Sequence, residues 1–225
     1  MRAAVIQFPG SNCDRDLAVA FGKAAGANKP AQMVWHKETG LPSGIDVIAI
    51  PGGFSFGDYL RCGAIAARSP IMRAVVDFAN QGGYVLGVCN GFQVLTESGL
   101  LPGALMRNAS MKYICKDTEL TVKTRDCAFT SGYDLGAQLT IPIAHHDGNY
   151  QADADTRKAL HEEDRIAFTY VQNPNGSLDD IAGILSKNRR VLGMMPHPER
   201  LNDPELGGTD GAGMFSAIAD ALVSA

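Results

Sequence analysis

Short apolar runs alternate with longer segments in the first 100 residues, and this alternation predicts strands separated by helices. The runs have the length of strands rather than helices, and three of them are almost wholly apolar, as in buried strands. Two of the intervening segments are followed by glycine, at Gly26 and Gly99, where helices commonly end. We predict strands over residues 3–8, 31–36, 45–50 and 84–89, and helices over residues 14–25, 62–67, 71–80 and 90–98.

Strands that alternate with helices pair in parallel through right-handed crossovers, so the first half predicts a doubly wound, mostly parallel α/β sheet. This flavodoxin-like arrangement has helices on both faces. The second half has short strands with few helices between them, which indicates an antiparallel or mixed C-terminal extension. With no internal repeat or linker, we interpret residues 1–225 as one domain. The predicted strands are residues 120–125, 139–144, 165–171, 181–185 and 191–195, before a final helix over residues 210–224.

The stretch Gly87-Val88-Cys89-Asn90-Gly91 carries the strongest chemical signal in the chain. It joins a predicted strand to a predicted helix, and a Gly-x-nucleophile-x-Gly pattern at such a junction is typical of a nucleophile elbow. The sharp turn strains the backbone of the nucleophile, while the glycines let neighbouring segments approach. The helix N-terminus favours a thiolate and offers the Asn90 N–H to an oxyanion. We therefore predict that Cys89 is a nucleophile.

His197 and Glu199 are candidate partners for that thiol. Both follow the predicted strand 191–195, at the edge of the sheet where α/β sites form. Two prolines keep the loop extended, and in an extended segment residues i and i+2 face the same way. We expect the Glu199 carboxylate to hold the imidazole while the imidazole serves Cys89 as a base. The pattern predicts a Cys89–His197–Glu199 triad.

Gly52 and Gly53 follow the predicted strand 45–50 in a Gly-rich loop. Backbone without side chains can approach a reacting carbonyl and supply a second oxyanion donor beside the Asn90 N–H. A Gly-Gly pair alone is a weak signal, and its place after a neighbouring strand is what makes it a candidate.

Composition sets bounds on partners and surroundings. The 225 residues carry a net charge of −4 and no basic patch, so we do not expect nucleic acid as a partner. The sequence has no run of about 18 apolar residues and no signal-peptide pattern at its N-terminus, so we expect no membrane association. Five scattered cysteines together with a useful thiol indicate a reducing compartment, and we predict a cytoplasmic protein.

The remaining histidines and cysteines carry weaker signals. His145 and His146 are adjacent, and neighbours on a strand face opposite ways, so they cannot easily chelate one ion. No third ligand is spaced nearby, and we predict no metal site. Structural roles are predicted for Cys13, Cys115, Cys127 and, in the core, Trp35.

The motifs around Cys89 and His197 resemble those of the class I, triad-type glutamine amidotransferases, and Pro51-Gly52-Gly53 resembles that family's oxyanion strand. The similarity runs over essentially the whole chain. Within that family, residues 53–64, 173–177 and 193–200 resemble the glutaminase subunits that serve purine biosynthesis. The resemblance implies that Cys89 attacks the side-chain amide of glutamine, that His197 protonates the leaving ammonia, and that water hydrolyses the thioester.

The same resemblance implies further contacts and partners. Gln93 would hold the glutamine backbone, and the loop Asn175-Gly176-Ser177 would contact it too. One of His145 and His146 would form part of the wall of the site. Ammonia would pass to a large synthetase subunit that converts formylglycinamide ribonucleotide to formylglycinamidine ribonucleotide, with a small accessory subunit in the assembly. The sequence lacks a Gly-x-x-x-x-Gly-Lys-Ser/Thr loop, so we expect ATP and Mg²⁺ on the partner and no cofactor on this chain.

Two alternatives stay open at this point. Another Cys-His-Glu amidase or peptidase-like hydrolase on the same sheet would turn over varied amides without a partner. A non-catalytic regulatory binding module with an incidental Cys-His pair would show ordinary reactivity of Cys89 towards an electrophile. Release of glutamate from glutamine, by the chain alone and with candidate large subunits, separates these interpretations.

Overall fold

Eleven strands lie within residues 1–26, 31–59 and 61–223, the part of the chain that the computed structural model describes. Several are apolar along almost their whole length, because a strand buried on both faces has no wet side. The strands are β1 (Ala3–Gln7), β2 (Gln32–Trp35), β3 (Val47–Ile50), β4 (Tyr84–Val88), β5 (Ala104–Met106), β6 (Ile114–Val122), β7 (Gln138–His145), β8 (Asn149–Gln151), β9 (Ile166–Tyr170), β10 (Ile181–Leu185) and β11 (Val191–Met194).

Helices cover both faces of the main sheet. One group packs α1 against α6, and another packs α2 against α4, which also lies on β3, β4 and β11. The helices are α1 (Asp14–Ala24), α2 (Cys62–Ala67), α3 (Pro70–Asn80), α4 (Asn90–Glu97), α5 (Ala154–Glu162) and α6 (Ala212–Val223). No helix within the described ranges is long and apolar enough to cross a membrane.

The main sheet has nine strands in the order β2-β1-β3-β4-β11-β10-β9-β6-β7, and β5 pairs with β8 in a separate ribbon. The first five strands of that order run parallel to one another. The pairings from β11 onwards are antiparallel. We call these two parts the parallel half and the antiparallel half. The doubly wound α/β sheet with an antiparallel extension is therefore confirmed.

One close approach explains how α4 comes to sit on the sheet. A Cβ built on Gly91 would lie 2.0 Å from the Ile50 carbonyl oxygen, so only glycine lets the first turn of α4 rest on the end of β3. This contact brings the start of the helix against the loop that follows β3. Both segments carry residues that the sequence analysis assigned to the site.

Most predicted elements are found within one or two residues of their predicted ends, and the corrections lie mainly in the second half. The strand predicted at residues 120–125 begins earlier, at Ile114, and ends at Val122. Its first half is charged and exposed, so it lacks the apolar signal. The short strands β5 and β8 and helix α5 were not predicted, although Asp153 caps α5 by accepting a hydrogen bond from the Thr156 N–H at 2.7 Å. The predicted end of the last helix, Ser224, lies outside the described residues.

The prediction that Trp35 belongs to the core is wrong. Strand β2 is at the edge of the sheet, and Trp35 is 42% exposed on it, with its ring edge-on to that of His36 at 4.5 Å. A large aromatic residue in a strand indicates a core position only when both faces of the strand are covered. The interpretation of residues 1–225 as one domain stays a prediction.

Candidate active site

Three predicted residues meet at one edge of the parallel half. Gly52 follows β3, Cys89 follows β4 and His197 follows β11, and β4 pairs in parallel with both of the other strands. A Cβ built on Gly52 would lie 2.7 Å from His197 Cε1 and 3.1 Å from Cys89 Cβ. Position 52 therefore touches both residues and has no room for a side chain.

Cys89 adopts the strained turn expected of a nucleophile elbow. Its φ of 51° and ψ of −107° are unusual for a residue that is not glycine. Its N–H extends the pairing with β11 by donating to the Met194 carbonyl at 2.7 Å, while its carbonyl accepts from the Phe92 N–H at 2.9 Å and starts α4. The thiol is buried, with Sγ 3.6 Å from the carbonyl oxygen of Ala144.

His197 and Glu199 form a buried pair. His197 Nδ1 lies 2.7 Å from Glu199 Oε1, so the carboxylate accepts the Nδ1 proton and leaves Nε2 as the nitrogen that exchanges a proton. The reason given from the sequence was wrong, because residues 198–200 form a 3₁₀ turn rather than an extended segment. The His197 N–H donates to the Pro142 carbonyl at 2.9 Å and so ties the loop to β7.

The environment of His197 favours its charged form. Burial alone would lower the pKa of the imidazole, but the neighbouring Glu199 and Cys89 outweigh it and raise the pKa of His197 well above its usual value. His197 Nε2 makes no hydrogen bond within the described part of the chain. A base in a substrate-free site often has loose geometry that tightens when the substrate binds.

Asn90 and Gln93 lie beside the elbow in one hydrogen-bonded network. Asn90 Oδ1 accepts from the Ser55 N–H at 3.1 Å, which joins the elbow to the loop after β3. Asn90 Nδ2 donates to Gln93 Oε1 at 2.7 Å, and Gln93 Nε2 donates to the Asp147 carbonyl at 2.8 Å. Gln93 also borders a cavity of about 440 Å³, whose lining includes neither Cys89 nor His197.

The loop Asn175-Gly176-Ser177 reaches the site only indirectly. Asn175 Nδ2 donates to the Gly148 carbonyl at 2.8 Å, and the Ser177 hydroxyl donates to the same oxygen at 3.2 Å. These residues therefore hold the turn whose neighbour, Asp147, engages Gln93. The contact of this loop with glutamine stays a prediction. The structure adds that the loop supports the turn at Gly148.

Cys13 was not recognised as part of the site in the sequence analysis, whereas one of His145 and His146 was expected there from the resemblance. His145 is buried at the end of β7, with Nδ1 3.1 Å from Asn108 Oδ1, and burial with the nearby charge of His197 lowers its pKa to about 4. Cys13 lies beside the triad, and its Sγ, one ring nitrogen of His197 and one carboxylate oxygen of Glu199 are within 4.8 Å of one another. The sequence signal that could have identified Cys13 is its position in the loop after β1, at the same edge of the sheet.

The thiols near the site differ in their suitability for chemistry. Burial raises the pKa of Cys62 to about 12, and its Sγ accepts from Asn90 Nδ2 at 2.9 Å, so this thiol stays protonated and serves the Asn90 network. Cys13, His197 and Glu199 have the donor types of a zinc site. However, the Arg200 guanidinium lies 3.1 Å from Cys13 Sγ and places a positive charge where a cation would bind.

Comparisons with known proteins agree with this geometry. A family model for the CobB/CobQ-like glutamine amidotransferase domain matches residues 1–206. The chain is 67% identical over 225 residues to the phosphoribosylformylglycinamidine synthase subunit PurQ of Ruegeria pomeroyi, and 64% identical over 225 residues to that of Ruegeria sp. strain TM1040, with 100% of both chains covered each time. A chain in a structure of PurLQS from Thermotoga maritima matches with a TM-score of 0.88, 40% identity and 98% of each chain covered. The chain therefore belongs to the CobB/CobQ-like glutamine amidotransferases, and within them to the PurQ glutaminase subunits of phosphoribosylformylglycinamidine synthase in purine biosynthesis.

Proposed function

We propose that Cys89, His197 and Glu199 hydrolyse glutamine to glutamate and ammonia through a covalent thioester. His197 Nε2 takes the proton of the Cys89 thiol to give a thiolate–imidazolium pair, and Cys89 Sγ then attacks the side-chain carbonyl carbon. The N–H groups of Asn90 and of the Gly52–Gly53 segment receive the negative oxygen. His197 then protonates the leaving ammonia, and it later deprotonates the water that cleaves the thioester and regenerates the thiol. Glu199 keeps the Nδ1 proton in place throughout.

The observation that carries this proposal is the contact of one glycine with two catalytic groups. Gly52 packs against both Cys89 Cβ and Cε1 of the His197 ring, and Glu199 Oε1 lies 2.7 Å from Nδ1 of the same ring. Nucleophile, base, orienting carboxylate and a side-chain-free backbone are thus collected at one strand edge. An incidental Cys-His pair in a binding module needs none of the other features.

We also propose that a large ATP- and Mg²⁺-binding synthetase subunit receives the ammonia, with a small accessory subunit completing the complex in the cytoplasm. Exposed apolar side chains around the site favour a covering partner, since large exposed patches mark interaction surfaces. Tyr59 is 76% exposed and Met111 is 65% exposed. The ring of the exposed residue Tyr113 stacks on that of Phe54 with centroids 6.4 Å apart, beside the site.

One experiment tests the reaction and the partner together. Glutamate release is measured for the wild-type chain and for Cys89→Ala, each alone and with the large synthetase subunit and its substrates. We expect the partner to raise wild-type release at least about tenfold, since completing an oxyanion hole is worth roughly 10²- to 10³-fold. Cys89→Ala should release no glutamate in either setting.

Each alternative has its own outcome in this experiment. A free chain that already works at the rate of the complex and cleaves varied amides would favour a general amidase. A wild-type chain that releases no glutamate, and whose Cys89 alkylates like a free thiol, would favour a regulatory binding module.

A further inference from the structure

Cys13 stands at the start of α1 but does not cap the helix with its side chain. It is the N-cap residue of α1, yet its side chain accepts no capping hydrogen bond. Ser, Thr, Asp and Asn are preferred at N-caps because their oxygens satisfy the free N–H groups of the first turn. The thiol is 2% exposed and turns away from the helix. A residue that breaks a local rule in this way is expected where function takes precedence.

The thiol of Cys13 turns towards the catalytic pair. Its Sγ, one ring nitrogen of His197 and one carboxylate oxygen of Glu199 lie within 4.8 Å of one another. Arg200 Nη2 donates to the sulfur at 3.1 Å, and Arg200 Nε lies 3.3 Å from Asp16 Oδ2 on the first turn of α1. The start of α1 is thus joined to the loop that carries the base and its carboxylate.

The Glu199 carboxylate is the group that needs this neighbour. Its Oε1 accepts from His197 Nδ1, whereas Oε2 is buried without a hydrogen-bond partner among the described residues. An unpaired buried carboxylate oxygen is costly and free to shift. The sulfur of Cys13 already accepts from Arg200, so its own S–H is available to donate to the carboxylate.

We propose that Cys13 is a positioning residue for the reaction, which holds the His197–Glu199 pair in place and couples it to the first turn of α1. The inference rests on the proposed glutaminase function. Glu199, Cys89 and Asp16 act on the imidazole directly, Arg200 acts on Glu199 and Asp16, and His145 of β7 is uncharged near neutral pH. Loss of the Cys13 thiol would let the imidazole turn away from the nucleophile.

The decisive variant is Cys13→Ser, because it separates activity from stability. A serine hydroxyl has a shorter reach and prefers to cap α1, so the free energy of unfolding should stay level or rise. We expect kcat for glutamine hydrolysis in the complex to fall about tenfold with KM nearly unchanged, since misplacing a catalytic group has effects of this size. Cys13→Ala should give the same loss of kcat. Cys115→Ser, at an exposed position in β6, is the matched control.

A double-mutant cycle tests the route through Glu199. If Cys13 acts on the His197–Glu199 pair, Cys13→Ser should cost less than about twofold once Glu199→Gln is present, because residues in one network are not additive. The proposal is overturned if both Cys13 variants keep kcat within about twofold of wild type, if their losses add fully to that of Glu199→Gln, or if kcat falls only in proportion to a lost melting temperature.

Alkylation of Cys89 decides the proposal even if glutamine is not the substrate. Iodoacetamide is applied across a range of pH, and modification of the Cys89 peptide is followed by mass spectrometry. Cys13→Ser should slow alkylation by about threefold, because a misaligned imidazole takes the thiol proton less readily. An unchanged profile overturns the positioning role, whereas failure of the wild-type complex to release glutamate overturns only the proposed function.

Discussion

His197 and His145 belong to the same site but to different halves of the sheet, and their pKa values move in opposite directions. His197 follows β11 in the parallel half, where Glu199 and Cys89 raise its pKa well above the usual value. His145 ends β7 in the antiparallel half, where burial lowers its pKa to about 4. The parallel half thus holds a histidine whose charged form is favoured, and the antiparallel half holds one whose neutral form is favoured.

The difference follows from topology. The carboxyl ends of adjacent parallel strands meet at one edge, so the residues that follow β3, β4 and β11 converge without help from long loops. Neighbouring antiparallel strands end at opposite edges, so this half contributes backbone carbonyls and loop turns instead. Pro142 and Ala144 supply such carbonyls to His197 and Cys89. The parallel half supplies the chemistry, and the antiparallel half shapes and supports it.

The largest effects are expected within the triad, and they should be graded. His197→Ala removes the proton carrier and should lower kcat about 10⁵-fold or more, whereas Glu199→Gln should be roughly 10- to 100-fold milder, because it affects only the orientation and charge of the imidazole. Single-turnover rates of glutamine hydrolysis in the complex measure both losses. A Glu199→Gln loss that exceeds the His197→Ala loss would contradict the assigned roles.

A matched pair of glycines compares the two halves directly. A Cβ at position 52 would meet the His197 ring at 2.7 Å, and one at position 148 would meet the His145 ring at 2.3 Å. We expect Gly52→Ala to lower kcat about 10²-fold, because it displaces a reacting group, and Gly148→Ala to lower it less than about tenfold despite the tighter clash. Both should lower the free energy of unfolding by about 1–3 kcal/mol, measured by denaturant titration. Equal losses of kcat in the two variants would contradict the distinction between a reactive parallel half and a supporting antiparallel half.

The smallest effect on activity is expected at His145, where stability in acid is affected instead. Unfolded His145 takes up a proton near pH 6.5, while the folded side chain stays neutral down to about pH 4, so unfolding is favoured as the pH falls between these values. The term reaches about 3 kcal/mol at most. His145→Asn keeps an N–H for Asn108 and should remove this part of the acid sensitivity. Denaturant unfolding of both proteins at pH 7, 5 and 4 measures the difference.

His197 contributes to the pH dependence of stability with the opposite sign. Its raised pKa means that the folded state holds the proton more tightly, so its contribution to stability is fully present below pH 6.5 and is lost as the pH rises through its folded pKa. The term is therefore constant over the acid range in which His145 titrates. A wild-type protein that loses no more stability in acid than His145→Asn would contradict the assignment of a neutral His145.

Local pattern was enough for the parallel half and its chemistry. The apolar runs there are buried strands, and a run buried on both faces has little alternative to a place inside a sheet. Cys89, with a glycine two residues to either side, could be predicted as an elbow, because the turn, the strain and the helix start all depend on neighbouring residues. The pairing of His197 with Glu199 was predicted correctly, although a 3₁₀ turn rather than an extended strand produces it.

The sequence by itself determined the α/β class and predicted Cys89 as nucleophile with its two partners, because these depend on hydrophobic period and on motifs a few residues long. Only the tertiary structure decided that Cys13 lies beside His197 and Glu199 and that Asn175 supports Gly148. It also decided that Trp35 is exposed on an edge strand. These outcomes depend on which distant segments pack together, and a side chain tens of residues away or more leaves no periodic trace in the local sequence.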